Sequence, residues 1–384
     1  MAGSTISVAD LSTDPHPIWH RLRADQPVAW IEPLDAWLVT SHDLCAQVMF
    51  DPATFTVDDP RFSTQRVIGS SMLSLDGAQH KRHRDPFSEP FRGGAVRDLE
   101  KFTRETAATL VAATAKSGWG DLRAQVAGPL AVAVMARILD LADVDSDEVL
   151  SWYREIVDAV HAVTAGEDMP SSGLRAFEEL KAAVRRNLSS SSLLGLVETA
   201  GTLDVDEIAS NVAVLLFGGI VTSESSTAIA FRYLLEDGDR REKVDSDRAM
   251  VRPFVEETLR LEPSAAAVDR YATMDVTLGE AHIAEGDLVR VSLSAANRDP
   301  GVFPEPDRLD VGRESKGKSL TFARGPHACL GIHLARLETA AAVDALLDSD
   351  SDLVAGDLAP VTGLVFRVPE TVAAEWAGSP SSMD

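Results

Sequence analysis

The sequence predicts a mainly α-helical protein with small β-sheets (α+β), folded as a single domain over residues 1–384. Ala, Leu and Val recur every three or four residues from about 95 to 195 and again from 204 to 235, which is the period of amphipathic helices. Runs rich in β-branched and aromatic residues near 27–40, 268–294 and 361–368 are short, so they predict small sheets. Because no linker-like stretch separates these regions, we expect one continuous core.

The composition disfavours several classes of protein. The chain has 36 Lys and Arg against 60 Asp and Glu, a net charge of −24, which argues against nucleic acid or an anionic membrane as a partner. Cys45 and Cys329 are the only cysteines, too few for a disulfide scaffold or a four-cysteine metal site. The first residues do not resemble a signal peptide, and the longest apolar run, Val212–Val221, is too short to span a membrane. We therefore expect a soluble, cytoplasmic protein.

The first two hundred residues contain one hairpin and then mostly helices. Residues 27–40 place two aromatic and β-branched runs around a Pro-Leu-Asp turn, and a helix is predicted at about 42–50. Residues 51–74 follow no clear period, which indicates a long loop, and a basic stretch begins at His80. The helical pattern after residue 95 has breaks near 117–119, 142–147, 165–173 and 189–192.

One long helix is predicted from Asp204 to about Leu235. Asp204 and Glu207, three residues later, form the pattern of a capping box. The centre contains Gly218 and Gly219, and a glycine inside a helix costs about 1 kcal/mol relative to alanine. Either another helix packs tightly here or something bulky lies against this face. Thr222 lies on the same face as the two glycines, at spacings of four and three.

The last third of the chain alternates between helices and short strands. A helix is predicted over Asp245–Glu262, and Pro- and Asp-rich irregular chain over 297–313. Strands are predicted at Val268–Ala272, Val276–Leu278 and Asp287–Ser294, with a final hairpin at Val361–Val368.

The stretch Thr321–Glu338 has the features of a ligand site. Cys329 precedes a long apolar helical pattern, and the positive end of a helix dipole favours the thiolate, which is the form that binds metals. Gly325 and Gly331 would allow a flat ligand to approach the backbone, while an aromatic ring and an imidazole, Phe322 and His327, flank the cysteine. The pattern predicts a large group bound through sulfur.

These features together resemble the cytochrome P450 superfamily. The cysteine loop is similar to the family's haem-binding signature F-x-x-G-x-H/R-x-C-x-G, which is met by Phe322, Gly325, His327, Cys329 and Gly331. Further matches, in family order, are His80 and Arg84 to the H-x-x-x-R of helix C, Gly218–Ser223 to the A/G-G-x-D/E-T-T/S groove of helix I, Glu257–Arg260 to the E-x-x-R of helix K, and Arg270 to the arginine that follows it. The matches extend over residues from about 15 to 370.

The resemblance implies the P450 fold, haem b (iron protoporphyrin IX) as the cofactor, and a role for each matching residue. Cys329 would be the axial ligand of the haem iron, and a thiolate ligand favours O–O cleavage. The resemblance assigns cofactor binding, including propionate contacts by the cations, to His80, Arg84, Arg270, His327, Phe322, Gly325 and Gly331. It also implies a buried structural ion network of Glu257, Arg260 and Arg308.

One position departs from the family pattern. The acid that usually precedes the threonine is Val221 here, and a valine cannot relay protons. Glu224 lies about 200° around the helix from Thr222, so it is poorly placed to replace that acid. Protons could arrive through Thr222, Ser223 and water, the substrate could supply a polar group, or the reaction could differ from ordinary hydroxylation. Ala323, where the family commonly has glycine, is a smaller departure.

The resemblance therefore predicts a monooxygenase with Thr222 as its catalytic residue. Its substrates would be dioxygen and a medium-sized, largely apolar small molecule of specialised metabolism, in a pocket lined by Phe217, Gly218, Val221, Val268 and Leu364. A separate ferredoxin and ferredoxin reductase would supply electrons, with docking at basic residues among Arg82, Arg92, Lys316, Lys318, Arg324 and Arg336. Two alternatives remain: a haem-thiolate enzyme performing nitration, oxidative coupling, cyclisation or peroxide-driven oxidation, and a non-catalytic scaffold that binds a partner.

Overall fold

The computed structural model describes residues 6–141, 144–164, 167–188, 193–314, 317–349 and 353–376. Within these residues the chain is mainly helical with small sheets, as the sequence predicts. The helices are α1 (Val8–Thr13), α2 (His16–Asp25), α3 (His42–Phe50), α4 (Ser63–Ile68), α5 (Gly77–Arg84), α6 (Gly93–Asp98), α7 (Glu100–Lys116), α8 (Gly128–Ile138), α9 (Ser146–Thr164), α10 (Ser171–Arg186), α11 (Leu193–Thr199), α12 (Val205–Leu235), α13 (Gly238–Ser246), α14 (Val251–Leu261), α15 (Leu293–Ala296) and α16 (Ile332–Leu347).

The strands form four small sheets within the described residues. They are β1 (Val28–Ile31), β2 (Ala36–Val39), β3 (Phe55–Thr56), β4 (Trp119–Asp121), β5 (Ala267–Ala272), β6 (Val276–Leu278), β7 (Ala281–Ile283), β8 (Leu288–Ser292), β9 (Leu353–Leu358), β10 (Val361–Thr362), β11 (Val368–Pro369) and β12 (Val372–Trp376). The largest has the order β1-β2-β8-β5-β3, with β2 parallel to β8 and the other pairs antiparallel. The remaining sheets are β4-β12-β9, β6-β7 and β10-β11.

Residue contacts divide the chain into two compact units. The first unit contains residues 1–56, 100–130 and 222–384, and the second contains 57–99 and 131–221. Helix α12 begins in the second unit and ends in the first.

The first unit contains the five-stranded sheet with a helix against each face. Val28 and Val39 point to one side and pack with α3, whereas Ala29 and Leu38 point to the other and pack with residues of α2. This alternation follows from the two-residue period of a strand, and because both faces are covered the strands are almost continuously apolar. In the same unit, α16 packs against α7 and α14.

A buried ionic cluster fastens the N-terminal segment of the first unit. The carboxylate of Glu262 contacts His16 at 2.8 Å, Arg298 at 2.9 Å and Arg367 at 3.1 Å, and its side chain is only 5% exposed. Burial opposes ionisation of this carboxyl, but His16 and the two arginines outweigh burial and lower its pKa to about 2. The cluster therefore joins α2, the end of α14 and the β10–β11 hairpin through charge-assisted hydrogen bonds.

In the second unit, α9 packs against α10 and α4. A Cβ added to Gly173 would lie 2.4 Å from the Cβ of Ala159, so the close approach of α9 and α10 requires glycine at this position.

Helix α12 begins with the predicted capping box. The backbone N–H of Glu207 donates to the Asp204 carboxylate at 2.8 Å, and the N–H of Asp204 donates to the Glu207 carboxylate at 3.0 Å. The helix is long and apolar enough to cross a membrane, with a mean hydropathy of 1.5 in its most apolar window, but 67% of that window is buried inside the protein. Such burial is typical of the core helix of a soluble protein.

Some predicted elements differ from the structure. Residues 51–74 are not one loop, because they contain β3 and α4. The helix predicted over Asp245–Glu262 is two helices, α13 and α14, joined by a 3₁₀ turn at Arg248–Met250. The sheet β4-β12-β9 was not predicted. Parts of the predicted helix breaks, at 142–143, 165–166 and 189–192, lie outside the described residues.

Candidate active site

The loop before α16 presents the cysteine thiol at the protein surface. A 3₁₀ turn at Gly325–His327 leads into Cys329, whose backbone N–H donates to the carbonyl of Phe322 at 2.8 Å. Cys329 is exposed, and α16 begins at Ile332, three residues later. The thiol is therefore held near the N-terminus of a long helix, where the helix dipole favours a thiolate.

The two glycines of this loop, Gly325 and Gly331, differ in whether the local geometry requires a glycine. Gly325 has φ +72°, and a Cβ there would lie 2.2 Å from the carbonyl oxygen of Met49, so only glycine allows the loop to pack on α3. A Cβ on Gly331 would lie 3.9 Å from Cys329 Sγ, which is an ordinary contact. Ala323 has φ +53°, in the left-handed region that favours glycine. The backbone geometry there is therefore the same as a glycine would adopt.

The aromatic residue predicted beside the cysteine is packed against a cation from α16. The Arg336 guanidinium lies 5.0 Å from the centre of the Phe322 ring and pairs with Glu256 of α14. His327 ends the 3₁₀ turn and is partly buried. Both residues lie in the same unit as Cys329.

Arg270, on β5, is also in the first unit, and its side chain is buried. Its Nη1 donates to the carbonyl of Asp269 at 2.7 Å. The carboxylate of Asp269 pairs instead with Arg290, through hydrogen bonds of 2.7 and 2.8 Å. A planar guanidinium held this rigidly is suited to bidentate binding of a carboxylate.

The other two predicted cations, His80 and Arg84, lie one turn apart on α5 in the second unit. Their helix is fixed to the start of α12 by residues that the sequence reading did not identify. Arg82 hydrogen-bonds to the Glu207 carboxylate, and His83 contacts the amide nitrogen of Asn211 at 2.9 Å. Burial and the neighbouring Arg82 charge lower the pKa of His83, so its imidazole is neutral at pH 7. The basic run 80–84 therefore contains both candidate ligand cations and structural side chains.

The middle of α12 carries an unburied strip. Phe217, Val221 and Thr222 are half-buried and Gly218 is exposed, whereas most of the neighbouring positions on the helix are buried. These four residues have spacings of one, four and five, so they share one helical face. A helix that is buried on both sides of a central gap provides space for a flat or bulky group.

The sequence left open whether the two glycines of α12 allow tight helix packing or border a bulky group, and the structure distinguishes the two positions. A Cβ on Gly219 would lie 2.4 Å from Met135 Sδ, so this glycine permits close helix packing. A Cβ on Gly218 would meet no atom within 4 Å. Tight packing therefore explains Gly219, whereas Gly218 borders open space.

Two acidic residues near Thr222 in the fold, Glu224 and Glu338, have different surroundings. Glu224 pairs with Arg123 at 2.7 Å, so it serves a structural contact. Glu338, on α16, is 1% exposed and hydrogen-bonded to Ser223. Burial raises the pKa of Glu338 to about 8, against the opposing effect of the Ser223 hydrogen bond. Glu338 was not predicted as a site residue, although its spacing of four from Leu334 places it on the buried face of α16.

Comparisons with known proteins indicate the family of this chain. The family model described as Cytochrome P450 matches residues 175–349. The cytochrome P450 monooxygenase PikC of Streptomyces venezuelae is 31% identical over 365 residues, covering 91% of this chain and 87% of the relative. The chain belongs to the cytochrome P450 family. The nocardicin C N-oxygenase of Nocardia uniformis subsp. tsuyamanensis is 32% identical over 356 residues, covering 88% of each chain. The crystal structure of CalO2 has a TM-score of 0.86 at 26% identity and covers 95% of this chain and 96% of that one.

The residues of this P450 fit haem. The exposed thiol of Cys329 at a helix start and the buried guanidinium of Arg270, both in the first unit, are suited to bind an iron and a propionate. Cys329 would hold the iron, and His80, Arg84, Arg270 and His327 would hold the propionates. When bound, thiolate-ligated haem supplies the activation of dioxygen.

The structural ion network of the P450 is present, but its third arginine differs from the prediction. Arg260 makes two hydrogen bonds to the Glu257 carboxylate, of 2.9 and 3.0 Å, and both side chains are buried. The Arg308 side chain is 63% exposed and pairs with Glu305, so it lies outside the network and only its carbonyl accepts a bond from Arg260. Arg313 is the third side chain, 3.1 Å from Glu257 and 7% exposed. The motif spacing pointed to the wrong arginine because the irregular chain reverses between positions 305 and 313.

Two predicted pocket residues, Val268 and Leu364, lie outside α12, and each packs partly against the hydrophobic core. Val268 is partly buried against the cluster that contains Phe55 and Met49, and Leu364 against the cluster that contains Trp19 and Leu22. Each therefore has one side in a core cluster.

Proposed function

We propose that this P450 is a soluble, cytoplasmic haem-thiolate monooxygenase that contains haem b and inserts one oxygen atom of dioxygen into a small molecule. The single observation that carries the proposal is the exposed thiol of Cys329 at the start of α16, within an intact signature loop. A non-catalytic scaffold would not need this thiol. The monooxygenase names of relatives support the same class of reaction.

The substrate would be medium-sized and largely apolar. The unburied strip on α12 offers an aromatic ring and a valine, Phe217 and Val221, and few charges. In the second unit, Phe217 also lines a small apolar crevice with Tyr153, Ile156, Ala213 and Leu216, which extends the apolar surface beside the strip. Apolar walls with few polar groups select by shape and hydrophobicity. A relative named as a nocardicin C N-oxygenase and a similar structure described as a post-tailoring hydroxylase involved in himastatin biosynthesis support a substrate from specialised metabolism.

Electrons would come from a separate ferredoxin and its reductase. Of the basic residues expected to dock ferredoxin, several are engaged within the protein. Arg92 pairs with Glu89, Arg324 donates to the carbonyl of Ser319, and Arg336 pairs with Glu256. Lys316 lies outside the described residues. Docking would therefore depend on weak, salt-sensitive attraction.

The test begins with the reduced, carbon-monoxide-bound spectrum of the purified protein. We expect the red-shifted band of a thiolate ligand, which Cys329→Ser should abolish. A library of apolar small molecules is then screened for spectral displacement of the sixth haem ligand, and hits are incubated with NADPH, a surrogate ferredoxin and its reductase under ¹⁸O-labelled dioxygen. Label in the product supports monooxygenation, and absence of the thiolate band would refute the haem-thiolate assignment.

A second candidate function rests on Val221. With no acid at this position of α12, the enzyme could perform a reaction other than dioxygen-dependent hydroxylation, namely oxidative coupling, cyclisation, nitration or peroxide-driven oxidation. The same experiment separates the two candidates, because a product that carries no ¹⁸O, or that differs from the substrate by something other than one oxygen atom, favours this second reaction.

A further inference from the structure

The tip of the β10–β11 hairpin is folded around the side chain of one arginine. Each strand is two residues long, and residues 363–367 form the loop between them. Arg367 ends this loop, and its side chain is 2% exposed. Its Nη2 donates to the carbonyl of Val361 at 2.7 Å, and its Nη1 donates to the carbonyl of Gly363 at 2.9 Å. The guanidinium therefore holds the loop from inside, which two short strands alone would do weakly.

The charge of Arg367 is balanced by a carboxylate whose position does not depend on it. Arg367 Nε donates to the Glu262 carboxylate at 3.1 Å. Glu262 also contacts His16 of α2 and Arg298, which follows α15. A buried charge left without a partner is strongly destabilising, but Glu262 keeps Arg298 when Arg367 is removed. We therefore expect variants of Arg367 to fold while the loop loosens.

The loop lies close to Thr222, with one serine between them. The backbone N–H of Arg367 donates to the carbonyl of Ser264 at 2.9 Å, and the Ser264 hydroxyl donates to the carbonyl of Thr222 at 3.0 Å. Two positions after Ser264, the N–H of Ala266 donates to the carbonyl of Val365 at 2.7 Å. All of these residues belong to the first unit. The loop and the chain before β5 therefore run side by side next to the predicted catalytic residue.

The loop carries three consecutive apolar residues that the protein covers only in part. Leu364, Val365 and Phe366 are half-buried, and so are Ala265 and Val268 on the neighbouring stretch of chain. Apolar side chains that are incompletely covered and lie together are typical of the wall of a ligand site. The position of this wall depends on the shape of the loop.

We propose that Arg367 is a positioning residue for substrate selectivity, because it fixes the loop 363–367 and with it the apolar wall beside Thr222. This inference rests on the proposed monooxygenase function, since it concerns the choice of substrate at the same site. A planar guanidinium contacts groups on several sides at once, whereas the ammonium of lysine is a compact point charge. The wall is therefore rigid and selects apolar molecules by their shape, and lysine replaces Arg367 only in part.

The first test measures the loop in the holoenzyme and needs no substrate. Hydrogen–deuterium exchange is followed by mass spectrometry over residues 361–368. Arg367→Met should speed exchange about tenfold or more, since charge-assisted hydrogen bonds to two carbonyls of the hairpin are lost. Arg367→Lys should speed exchange less, because its ammonium keeps a cation opposite Glu262.

Arg232→Met is the matched control. Arg232 of α12 donates to the carbonyl of Ala359 at 2.9 Å, just before β10, and pairs with Glu236 at 2.6 Å. It therefore contacts the chain that leads into the hairpin without contacting the loop. Exchange over residues 361–368 should match the wild type in this variant.

The second test measures selectivity with probe ligands that need no turnover. Imidazole and 4-phenylimidazole are titrated into the holoenzyme, and the Kd of each is read from the haem absorbance. Arg367→Met should raise the Kd of 4-phenylimidazole about tenfold, the low end for one apolar contact in a pocket, while the Kd of imidazole stays unchanged. Arg367→Lys should have a smaller effect in the same direction. A purely structural role for Arg367 would not change the ratio of the two constants.

Two further variants complete this test. Leu364→Ala, which shortens a side chain of the wall and leaves Arg367 in place, should change the ratio without faster exchange. Arg232→Met should match the wild type in both constants. If Arg367→Met does not fold, Arg367→Lys and Leu364→Ala decide the question, and an unchanged ratio in both would overturn the inference.

The outcomes separate this inference from the proposed function. Faster exchange together with a changed ratio supports the positioning role of Arg367. Faster exchange with an unchanged ratio means that Arg367 only stabilises the hairpin, and unchanged exchange means that it does not hold the loop; either result contradicts the inference. Failure of the proposed function would instead appear as a missing thiolate spectrum or an unlabelled product, whatever the exchange and the ratio show.

Discussion

Replacing Arg313 should destabilise the protein, whereas replacing Arg308 should not. The Arg313 side chain is 7% exposed and donates to the Glu257 carboxylate at 3.1 Å and to the carbonyls of Glu305 and Arg308 at 3.1 and 3.0 Å. In Arg313→Ala, the carboxylate of Glu257 keeps Arg260 but loses its second cation. Removing one member of a buried ionic network costs about 3–5 kcal/mol, and we take about 3 because the carbonyls that Arg313 contacts, of Pro304, Glu305 and Arg308, can be hydrated.

This free energy converts into a modest change in melting temperature. At roughly 2.1 cal/mol/K per residue over 384 residues, the entropy of unfolding is about 0.8 kcal/mol/K, so a loss of about 3 kcal/mol lowers the Tm by about 4 °C. The control, Arg308→Ala, removes a side chain that is 63% exposed and pairs with an equally exposed Glu305. Exposed ion pairs contribute about 0–1 kcal/mol, so its Tm should change by about 1 °C or less.

Calorimetry of both variants, with equal haem content, measures the difference directly. Urea unfolding followed by circular dichroism provides a second estimate, and an unchanged slope would show that the unfolded state is the same. Equal effects of the two substitutions would refute the assignment of Arg313 as the third arginine. A larger effect of Arg308→Ala would restore the assignment made from the motif.

Three further predictions concern glycines and pH. Gly325→Ala should lose several kcal/mol of stability, because its φ is left-handed and the new Cβ would clash with the carbonyl of Met49 in α3. Ala323→Gly should change stability by about 1 kcal/mol or less, and thermal melts of the two variants compare these effects. Gly219→Ala should cost about 1–3 kcal/mol by overpacking, whereas Gly218→Ala should keep the apoprotein stable but lower haem occupancy, measured by absorbance per protein. The folded-state pKa of Glu262 is lowered from 4.5 to about 2, so its ionised carboxylate contributes about 3 kcal/mol of stability. This contribution is complete above pH 4.5 and is lost as the pH falls towards 2. The difference in unfolding free energy between Glu262→Gln and the wild type should therefore halve near pH 3, as measured by urea unfolding.

Local patterns predicted much of the fold because they depend on near neighbours in the chain. The Asp204–Glu207 capping box and the length of α12 follow from a three-residue spacing and a continuous apolar period, and the structure contains both. The hairpin at 27–40 is likewise set by a turn between two runs, β1 and β2. By contrast, β4, β9 and β12 are only three to six residues long, and β4 pairs with a strand more than 200 positions away, so no local period marks this sheet.

The candidate site depends on both local and distant parts of the chain. The cysteine loop is a contiguous motif, so its spacing is sufficient to select Cys329 and its flanking residues as candidates. The third arginine of the ion network was not identifiable, because a reversal of irregular chain decides whether Arg308 or Arg313 reaches Glu257. Glu338 was missed because a single carboxylate in an apolar helix becomes informative only when its burial and its contact with Ser223 are known.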